Sequence, residues 1–145
     1  MRITGGHSKG RHLAPLKGLS IRPTSDKVRE SIFNLIGQDL SGLNVLDLFS
    51  GTGSLGIEAL SRGASWVLFI DNDPQSLNTI RKNLTLCHFE KMGALLKKDL
   101  RGGLPWKHPL MKKTFIESYI VPLIRSGFIM QLALQAVQHG MLCRI

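Results

Sequence analysis

The stretch Asn44–Gly56 constrains the fold of this chain more than any other part of its sequence. It reads NVLDLFSGTGSLG, an apolar run that leads into closely spaced glycines. Val45–Phe49 is short and apolar, as expected of a buried parallel strand. Gly51, Gly53 and Gly56 have the G-x-G-x-x-G spacing, in which glycines permit a tight turn and a close approach of the backbone to a ligand. The pattern predicts a strand, a glycine turn and the start of a helix.

The residues after the glycine turn indicate what it binds. Ile57 and Leu60 give one apolar side to a helix that should end near Gly63, and a second strand is predicted over Trp66–Ile70, ending at Asp71. An acid about twenty residues after the first glycine is where a ribose hydroxyl pair is bound, because a carboxylate accepts two hydrogen bonds. A purely structural turn would also fit the glycines alone. The strand, the helix and the acid together favour a nucleotide-type cofactor site.

Asp47 distinguishes between two kinds of cofactor. A dinucleotide would place its pyrophosphate on the helix N-terminus, where a neighbouring acid would repel it. Asp47 lies four residues before Gly51, and a carboxylate there suits a cationic or amino-bearing ligand better. S-adenosylmethionine has an amine, a sulfonium and no phosphate, so Asp47 favours this cofactor.

The segment Asp47–Gly53 resembles the first motif of class I methyltransferases, which are doubly wound α/β proteins that use S-adenosylmethionine. By that resemblance the turn, with Gly51 and Gly53, holds the methionine part, and Asp71 binds the ribose. The resemblance also implies cofactor contacts at Phe49, Asp99 and Leu100, with Asp99 near the adenine. A helix cap or a surface acid would explain Asp99 equally well.

Composition limits the class of protein. The chain has 145 residues, which is one domain at most. No apolar run reaches membrane-spanning length, and neither the two cysteines nor the five histidines have metal-ligand spacing. We therefore expect a cytoplasmic monomer with no metal ion and no membrane association.

The formal net charge of +9 is unevenly distributed. Residues 1–30 and residues 88–113 each carry a net charge of +5, whereas residues 31–87 carry −2. Scattered lysines usually form only a solvated surface, but two such segments on a small domain favour a polyanionic partner, most often a nucleic acid.

The first segment predicts a basic arm followed by a helix. In residues 1–13 apolar and polar residues alternate weakly on both sides of Gly5-Gly6, and this pattern indicates a hairpin. Thr24 or Ser25 is a suitable N-cap for the helix that follows. The expected apolar face is formed by Val28, Ile32, Leu35 and Ile36. Arg29 falls off that face and is predicted to be free to reach a phosphate or to pair on the Glu30 side of the helix.

Three segments together resemble the RsmD family of bacterial methyltransferases: Arg2-Ile-x-Gly-Gly, Arg22-Pro-Thr with Val28-Arg-Glu, and the run Glu58–Ala64. The resemblance covers residues 1 to about 115 and resumes near Arg125. It implies methyl transfer from S-adenosylmethionine to the N2 amine of a guanine in 16S ribosomal RNA, with the RNA or the small ribosomal subunit as partner. It also implies that the arm contacts RNA, which gives these candidates: Arg2, Lys9, Arg11, Arg22, Thr24 and Arg29. By the same resemblance Arg22, Thr24 and Arg29 are alternatively contacts of the cofactor pocket. Helix capping explains Thr24 equally well.

The sequence departs from this family at its catalytic motif, an Asp or Asn followed by Pro-Pro-Tyr. The expected slot holds Val121, Pro122, Leu123 and Ile124, of which only Pro122 matches. An exocyclic guanine amine is a poor nucleophile and needs acceptors that orient it. A degenerate relative that only binds RNA or cofactor is therefore the alternative. Codons for Val-Pro-Leu-Ile, read one base earlier, can encode Pro-Pro-Tyr, so we hypothesise compensating frameshifts around residues 116–124, which the gene sequence would test.

The predicted architecture is a doubly wound, mostly parallel α/β sheet of the methyltransferase type. Residues 1–24 form the arm and residues 25–145 the methyltransferase domain. Met141–Ile145 is typical of the start of a fifth strand. Since this fold normally has two further strands, we expect a sheet that is truncated on its C-terminal side, with an exposed edge.

Overall fold

The computed structural model describes residues 1–16, 24–114 and 118–121, with side chains described as far as Met111. The chain folds into α-helices, parallel strands and one short 3₁₀ helix, with these bounds in chain order: α1 (Asp26–Ile36), β1 (Asn44–Leu48), α2 (Ser54–Ser61), β2 (Trp66–Asp71), α3 (Pro74–Cys87), β3 (Gly93–Lys97), the 3₁₀ helix (Leu100–Gly102), α4 (Pro109–Thr114) and β4 (Ser118–Val121). The fifth strand predicted at Met141–Ile145 lies outside the described residues.

The described strands form one parallel sheet in the order β3-β2-β1-β4. In its register Asp47 lies between Phe69 of β2 and Val121 of β4. The carboxyl ends of these strands therefore meet at one edge of the sheet, where ligands bind in open α/β folds. The predicted parallel α/β sheet is confirmed for this part of the chain.

Side chains alternate between two apolar layers, one on each face of the sheet. Val45, Val67 and Phe69 pack with residues of α1, α2 and α3 in one cluster. Leu46, Leu68 and Ile70 point the other way and pack with Leu100 of the 3₁₀ helix, Met111 of α4 and Leu104 between these helices. Both faces of the sheet are thus covered, which explains why β1 and β2 read as continuous apolar runs.

The predicted apolar face of α1 is confirmed at Ile32 and Ile36, which pack in or against the core, and it is wrong at Val28 and Leu35. Val28 and Leu35 are 44% and 80% exposed, whereas Arg29, Phe33 and Ile36 are buried. Arg29 turns inward because its guanidinium pairs with Asp26 at 2.7 Å and with Glu58 at 3.8 Å. Of the two predicted caps, Ser25 is the N-cap, and its side chain accepts a hydrogen bond from Val28 N–H.

The first residues form the predicted hairpin. Arg2 and His12 make an antiparallel bridge, and Ile3 N–H donates to the Arg11 carbonyl at 2.9 Å. The turn of the hairpin packs on the end of α2, where His7 N–H donates to the Ser61 carbonyl at 2.7 Å. The hairpin is therefore docked on the helix that follows the glycine turn. Among the helices of the described ranges, none is long and apolar enough to cross a membrane.

Candidate functional site

The glycine turn begins where β1 ends and is hydrogen-bonded to the end of β2. Phe49, which was predicted to close the strand, has left it and adopts a φ of 55°. A bulky residue in this left-handed region is a rare and strained conformation of the kind that is found at functional sites. Ser50 N–H donates to the Ile70 carbonyl at 3.2 Å, and Gly53 N–H closes the turn on the Ser50 carbonyl at 2.7 Å.

The three glycines have different surroundings. A Cβ on Gly53 would lie 2.9 Å from Ile80 Cγ1, and one on Gly56 would lie 2.3 Å from Phe69 Cε1. These two glycines let α3 and β2 pack closely against the turn and α2. At Gly51 the nearest atom to such a Cβ is 3.9 Å away. No atom crowds Gly51, and its φ of 55° is a conformation that glycine adopts without strain.

Asp47 lies beneath the turn and is 2% exposed. Its Oδ2 accepts a hydrogen bond at 3.0 Å from the backbone N–H of Gly56, in the first turn of α2. Burial raises the pKa of Asp47 to about 8, and the negative charge of Asp71 adds to the rise, while the hydrogen bond from Gly56 opposes it. Asp47 thus supports the start of α2, and the cofactor contact predicted for it stays a prediction.

Asp71 ends β2 and lies beside Gly51, as the spacing predicts. Its Oδ2 accepts from Gly51 N–H at 2.8 Å, and its Oδ1 accepts from Asp73 N–H at 2.9 Å. Each carboxylate oxygen has more than one acceptor site. The side chain is therefore fixed in orientation and retains acceptor capacity for the hydroxyls of a ligand.

Asp99 and Leu100 follow β3 at the same edge of the sheet, because Lys97 is in register with Asp71. Asp99 is the N-cap of the 3₁₀ helix and accepts from Arg101 N–H at 3.0 Å. Its hydrogen bonds and ion pair with the Arg101 guanidinium hold the pKa of Asp99 down at about 2. The Leu100 side chain is 1% exposed in the apolar layer. The capping role of Asp99 is confirmed, and cofactor contacts of Asp99 and Leu100 stay predictions.

The slot of the predicted catalytic motif starts at the carboxyl end of β4. Val121 ends β4 and is the register partner of Asp47. The first slot position therefore lies next to the strand that carries the glycine turn. Pro122, Leu123 and Ile124 lie outside the described residues.

The candidate RNA contacts differ in exposure. Arg2, Lys9 and Arg11 are exposed on the hairpin. Arg2 makes an ion pair with Asp26 at 3.5 Å, and the Arg11 guanidinium donates to the Leu86 carbonyl. Arg22 lies outside the described residues.

The prediction that Arg29 is free to reach RNA is wrong. Its side chain is fully buried, and its guanidinium donates to the carbonyls of Thr24 and Arg2 as well as to Asp26. These contacts join α1 to the hairpin, so Arg29 has a structural role. Thr24 contributes its carbonyl to this network, and Ser25 rather than Thr24 caps α1.

Two buried polar residues that sequence reasoning missed hold the N-terminal segment. Glu58 of α2 accepts hydrogen bonds from Thr4 N–H and Gly5 N–H of the hairpin and from the Arg62 guanidinium. Asn83 of α3 bonds Ala14 and Thr52. A charged or amide residue on an otherwise apolar helix face was the available signal, but it does not identify the distant partners.

The sheet order, the glycine turn and the acid at the end of β2 together define the class I methyltransferase type of fold. A structure described as the putative methyltransferase yhhF from Escherichia coli superimposes with a TM-score of 0.72 at 28% identity, over 98% of this chain and 74% of that one. An RNA methyltransferase from Salinibacter ruber, solved in complex with S-adenosyl-L-homocysteine, has the same fold, with a TM-score of 0.58 at 20% identity, over 83% of this chain and 72% of that one.

The chain belongs to the family described as Conserved hypothetical protein 95, whose sequence model matches residues 1–138, and its relatives include proteins named as RsmD-type methyltransferases. The putative rRNA methyltransferase YlbH of Bacillus subtilis is 45% identical over 104 residues, which cover 72% of this chain and 56% of that protein. Ribosomal RNA small subunit methyltransferase D of Haemophilus influenzae is 43% identical over 58% of this chain and 44% of its own length. The chain thus spans about half the length of these two relatives. The Escherichia coli protein of the same name is 31% identical over 95% of this chain and 74% of that protein. The predicted family is confirmed.

Proposed function

We propose that the glycine turn binds S-adenosylmethionine. The observation that carries this proposal is the convergence of two acids, Asp47 and Asp71, on one turn, whose Gly51 is not crowded by any neighbouring atom. Asp71 suits the ribose of either kind of cofactor. The Asp47 carboxyl group beneath the N-terminus of α2 suits an amine and a sulfonium better than a diphosphate. The family to which the chain belongs supports the same cofactor.

Each group of the site has a separate task in this proposal. Asp71 accepts hydrogen bonds from the ribose hydroxyls, in an orientation fixed by Gly51 N–H and Asp73 N–H. Gly51 allows the main chain to approach the methionine part. Asp47 fixes the start of α2 through Gly56 N–H. When bound, the cofactor supplies a methyl group that is activated by attachment to a positively charged sulfur.

Calorimetry with S-adenosylhomocysteine tests the cofactor assignment. We expect the wild-type chain to bind this product and to give no heat with NAD. Asp71→Asn should weaken binding by about tenfold or more, because hydrogen bonds to a charged group contribute about 1.5–3 kcal/mol. Asp73→Asn is the matched control, because it makes the same chemical change two residues away while asparagine still caps α3. Binding of NAD in preference to S-adenosylhomocysteine would overturn the assignment.

We further infer that the methyl group is transferred to the N2 amine of a guanine in 16S ribosomal RNA. Three observations support this: the names of the relatives, the exposed basic hairpin, and the position of Val121, the first residue of the catalytic slot, beside β1. The amine would attack the methyl carbon as the bond from that carbon to sulfur breaks, which leaves S-adenosylhomocysteine, and the methylated amine would then release a proton to water. The chain's own contribution would be to orient the amine at the carboxyl end of β4.

One observation favours a second candidate, a protein that binds RNA and cofactor without methylating. Val121, Leu123 and Ile124 supply neither the side-chain acceptor nor the aromatic ring of the expected motif. A radiolabelled methyl-transfer assay on unmethylated small subunits separates the two candidates. Activity equal to that of a homologue with the complete motif would overturn the second candidate. Cofactor binding with no measurable transfer would overturn the first.

A further inference from the structure

Asn83 of α3 joins two segments that are far apart in the sequence. Its side chain is fully buried. Oδ1 accepts from Ala14 N–H at 2.7 Å, and Nδ2 donates to the Ala14 carbonyl at 3.2 Å and to the Thr52 carbonyl at 3.0 Å. Ala14 follows the hairpin, and Thr52 is the central residue of the glycine turn, between Gly51 and Gly53.

The hydrogen bonds of the Asn83 amide explain how it can be buried, but they do not explain why an asparagine stands at this position. Asparagine is among the weaker helix formers, and the neighbouring buried positions of α3 are apolar: Ile80, Leu84 and Cys87. An apolar side chain at position 83 would leave three main-chain groups without their partner. Each such group costs about 1–3 kcal/mol when it is left unsatisfied in the interior. Asn83 matches the N–H and C=O of Ala14 and still has a donor for Thr52.

The bond to Thr52 completes the fixation of one peptide unit in the glycine turn. The Thr52–Gly53 peptide presents its carbonyl to Asn83 and its N–H to the Ser50 carbonyl, at 2.7 Å. Both ends of this peptide plane are therefore hydrogen-bonded. Because peptide groups are planar, this fixes the chain immediately after Gly51. The chain leaving the hairpin lies close by, since Leu16 Cδ1 is 4.0 Å from the Cβ position of Gly51.

We propose that Asn83 is a positioning residue of the cofactor site, which clips the segment that follows the hairpin to the Thr52 carbonyl and so sets the glycine turn in its binding conformation. It acts through the main chain of the turn and does not itself touch the ligand. This inference rests on the proposed binding of S-adenosylmethionine. Loss of the clip frees the Thr52–Gly53 peptide to rotate, and a misplacement of about 1 Å in a site of this kind is enough to cost about a hundredfold in function.

Asn83→Asp tests the proposal with little change of shape. The carboxyl group keeps an acceptor for Ala14 N–H. It has no donor when ionised and a single donor when protonated, so it cannot bond the carbonyls of both Ala14 and Thr52, and the clip is weakened in either state. Cys87→Ala is the matched control, because Cys87 lies one turn further along the same buried face of α3. Affinity for S-adenosylhomocysteine is measured by calorimetry at a temperature at which every variant is folded, and Tm is measured separately.

We expect Asn83→Asp to weaken binding by about tenfold or more and Cys87→Ala to change it less than about twofold, even where the two lower Tm equally. Asn83→Ser, which retains a single hydroxyl, should weaken binding to an intermediate extent. An affinity of Asn83→Asp within twofold of wild type would overturn this inference alone. Equal weakening by Cys87→Ala would overturn it too, because the effect would then follow stability. Absence of binding by the wild-type chain would overturn the proposed cofactor and this inference together.

A measurement on the wild-type chain covers the case in which the Asn83 variants do not fold. Amide exchange followed by NMR with and without S-adenosylhomocysteine reports on Ala14 N–H, which is bonded to Asn83. If Asn83 couples this segment to the turn, saturating ligand should slow exchange at Ala14 by about tenfold while Gly37, at the far end of α1, is unchanged. Protection of the turn with no change at Ala14 would contradict the proposal.

Discussion

Asp47 is a buried acid beneath the glycine turn, and its pKa is strongly raised. Its raised pKa of about 8 means that the folded chain retains a proton which the unfolded chain, with an ordinary value of 3.8, has already released. The unfolded state therefore binds fewer protons between these values, and the free energy of unfolding falls as pH rises through that window. The slope due to Asp47 approaches about 1.4 kcal/mol per pH unit.

Asp47→Asn should flatten this dependence. The amide oxygen still accepts from Gly56 N–H, but the side chain no longer titrates. We expect the variant to gain stability relative to wild type from pH 5 to pH 8, as measured by urea unfolding at a series of pH values. Asp39→Asn is the control, because Asp39 is exposed and its pKa is lowered by hydrogen bonds from Ser41, so it does not titrate in this range. Parallel curves for wild type and Asp47→Asn would contradict the assigned pKa.

At the level of single residues, the sequence predicts the contacts that follow from local spacing along the chain. Asp47, Gly51 and Asp71 come together because a strand, a turn and the next parallel strand bring them to one edge of the sheet. The inward position of Arg29 and the clip at Asn83 are not predictable in this way. Their partners lie up to 69 positions away, and the local pattern of apolar and polar residues does not indicate such contacts.

At the scale of elements, the hairpin, α1 and α2 are held together by one buried ionic cluster. Glu58, at 0% exposure, accepts from Thr4 N–H at 2.9 Å, from Gly5 N–H at 2.7 Å and from the Arg62 guanidinium at 2.8 Å. Arg29 pairs with it from α1 at 3.8 Å. The cluster explains why Arg29 lies on the buried side of α1. The buried carboxylate of Glu58 favours a buried arginine at a position where periodicity alone predicts an exposed side chain.

Glu58→Gln should therefore undock the hairpin. The glutamine amide has no negative charge to balance Arg29 and Arg62. Its NH₂ group would also face N–H groups that donate to the carboxylate in the wild type. Breaking a buried pair costs about 3–5 kcal/mol, so we expect a loss of that size in urea unfolding and faster amide exchange at Thr4 and Gly5. Glu30→Gln makes the same change at an exposed position of α1 and should cost less than about 0.5 kcal/mol. A loss of under 1 kcal/mol for Glu58→Gln would show that the cluster does not hold the hairpin.

At the scale of the whole molecule, the excess of positive charge predicts a salt-dependent affinity for RNA, and the hairpin should supply a defined share of it. Lys9 and Arg11 are both exposed. Each contact with a phosphate contributes about 0.7–0.9 to the slope of log affinity against log salt. If both residues contact RNA, the double change Lys9→Gln with Arg11→Gln should lower that slope by about 1.5. Fluorescence anisotropy with unmethylated small-subunit rRNA at several salt concentrations measures it.

The control separates a local contact from the effect of net charge. Arg81→Gln with Lys82→Gln removes the same two charges from exposed positions of α3. A nonspecific attraction responds to total charge, and would lower the slope equally for both pairs. A hairpin that contacts RNA requires a larger change for Lys9 and Arg11 than for the α3 pair, with unchanged affinity for S-adenosylhomocysteine in both variants. Equal slopes would assign the attraction to the net charge and remove the hairpin from the RNA interface.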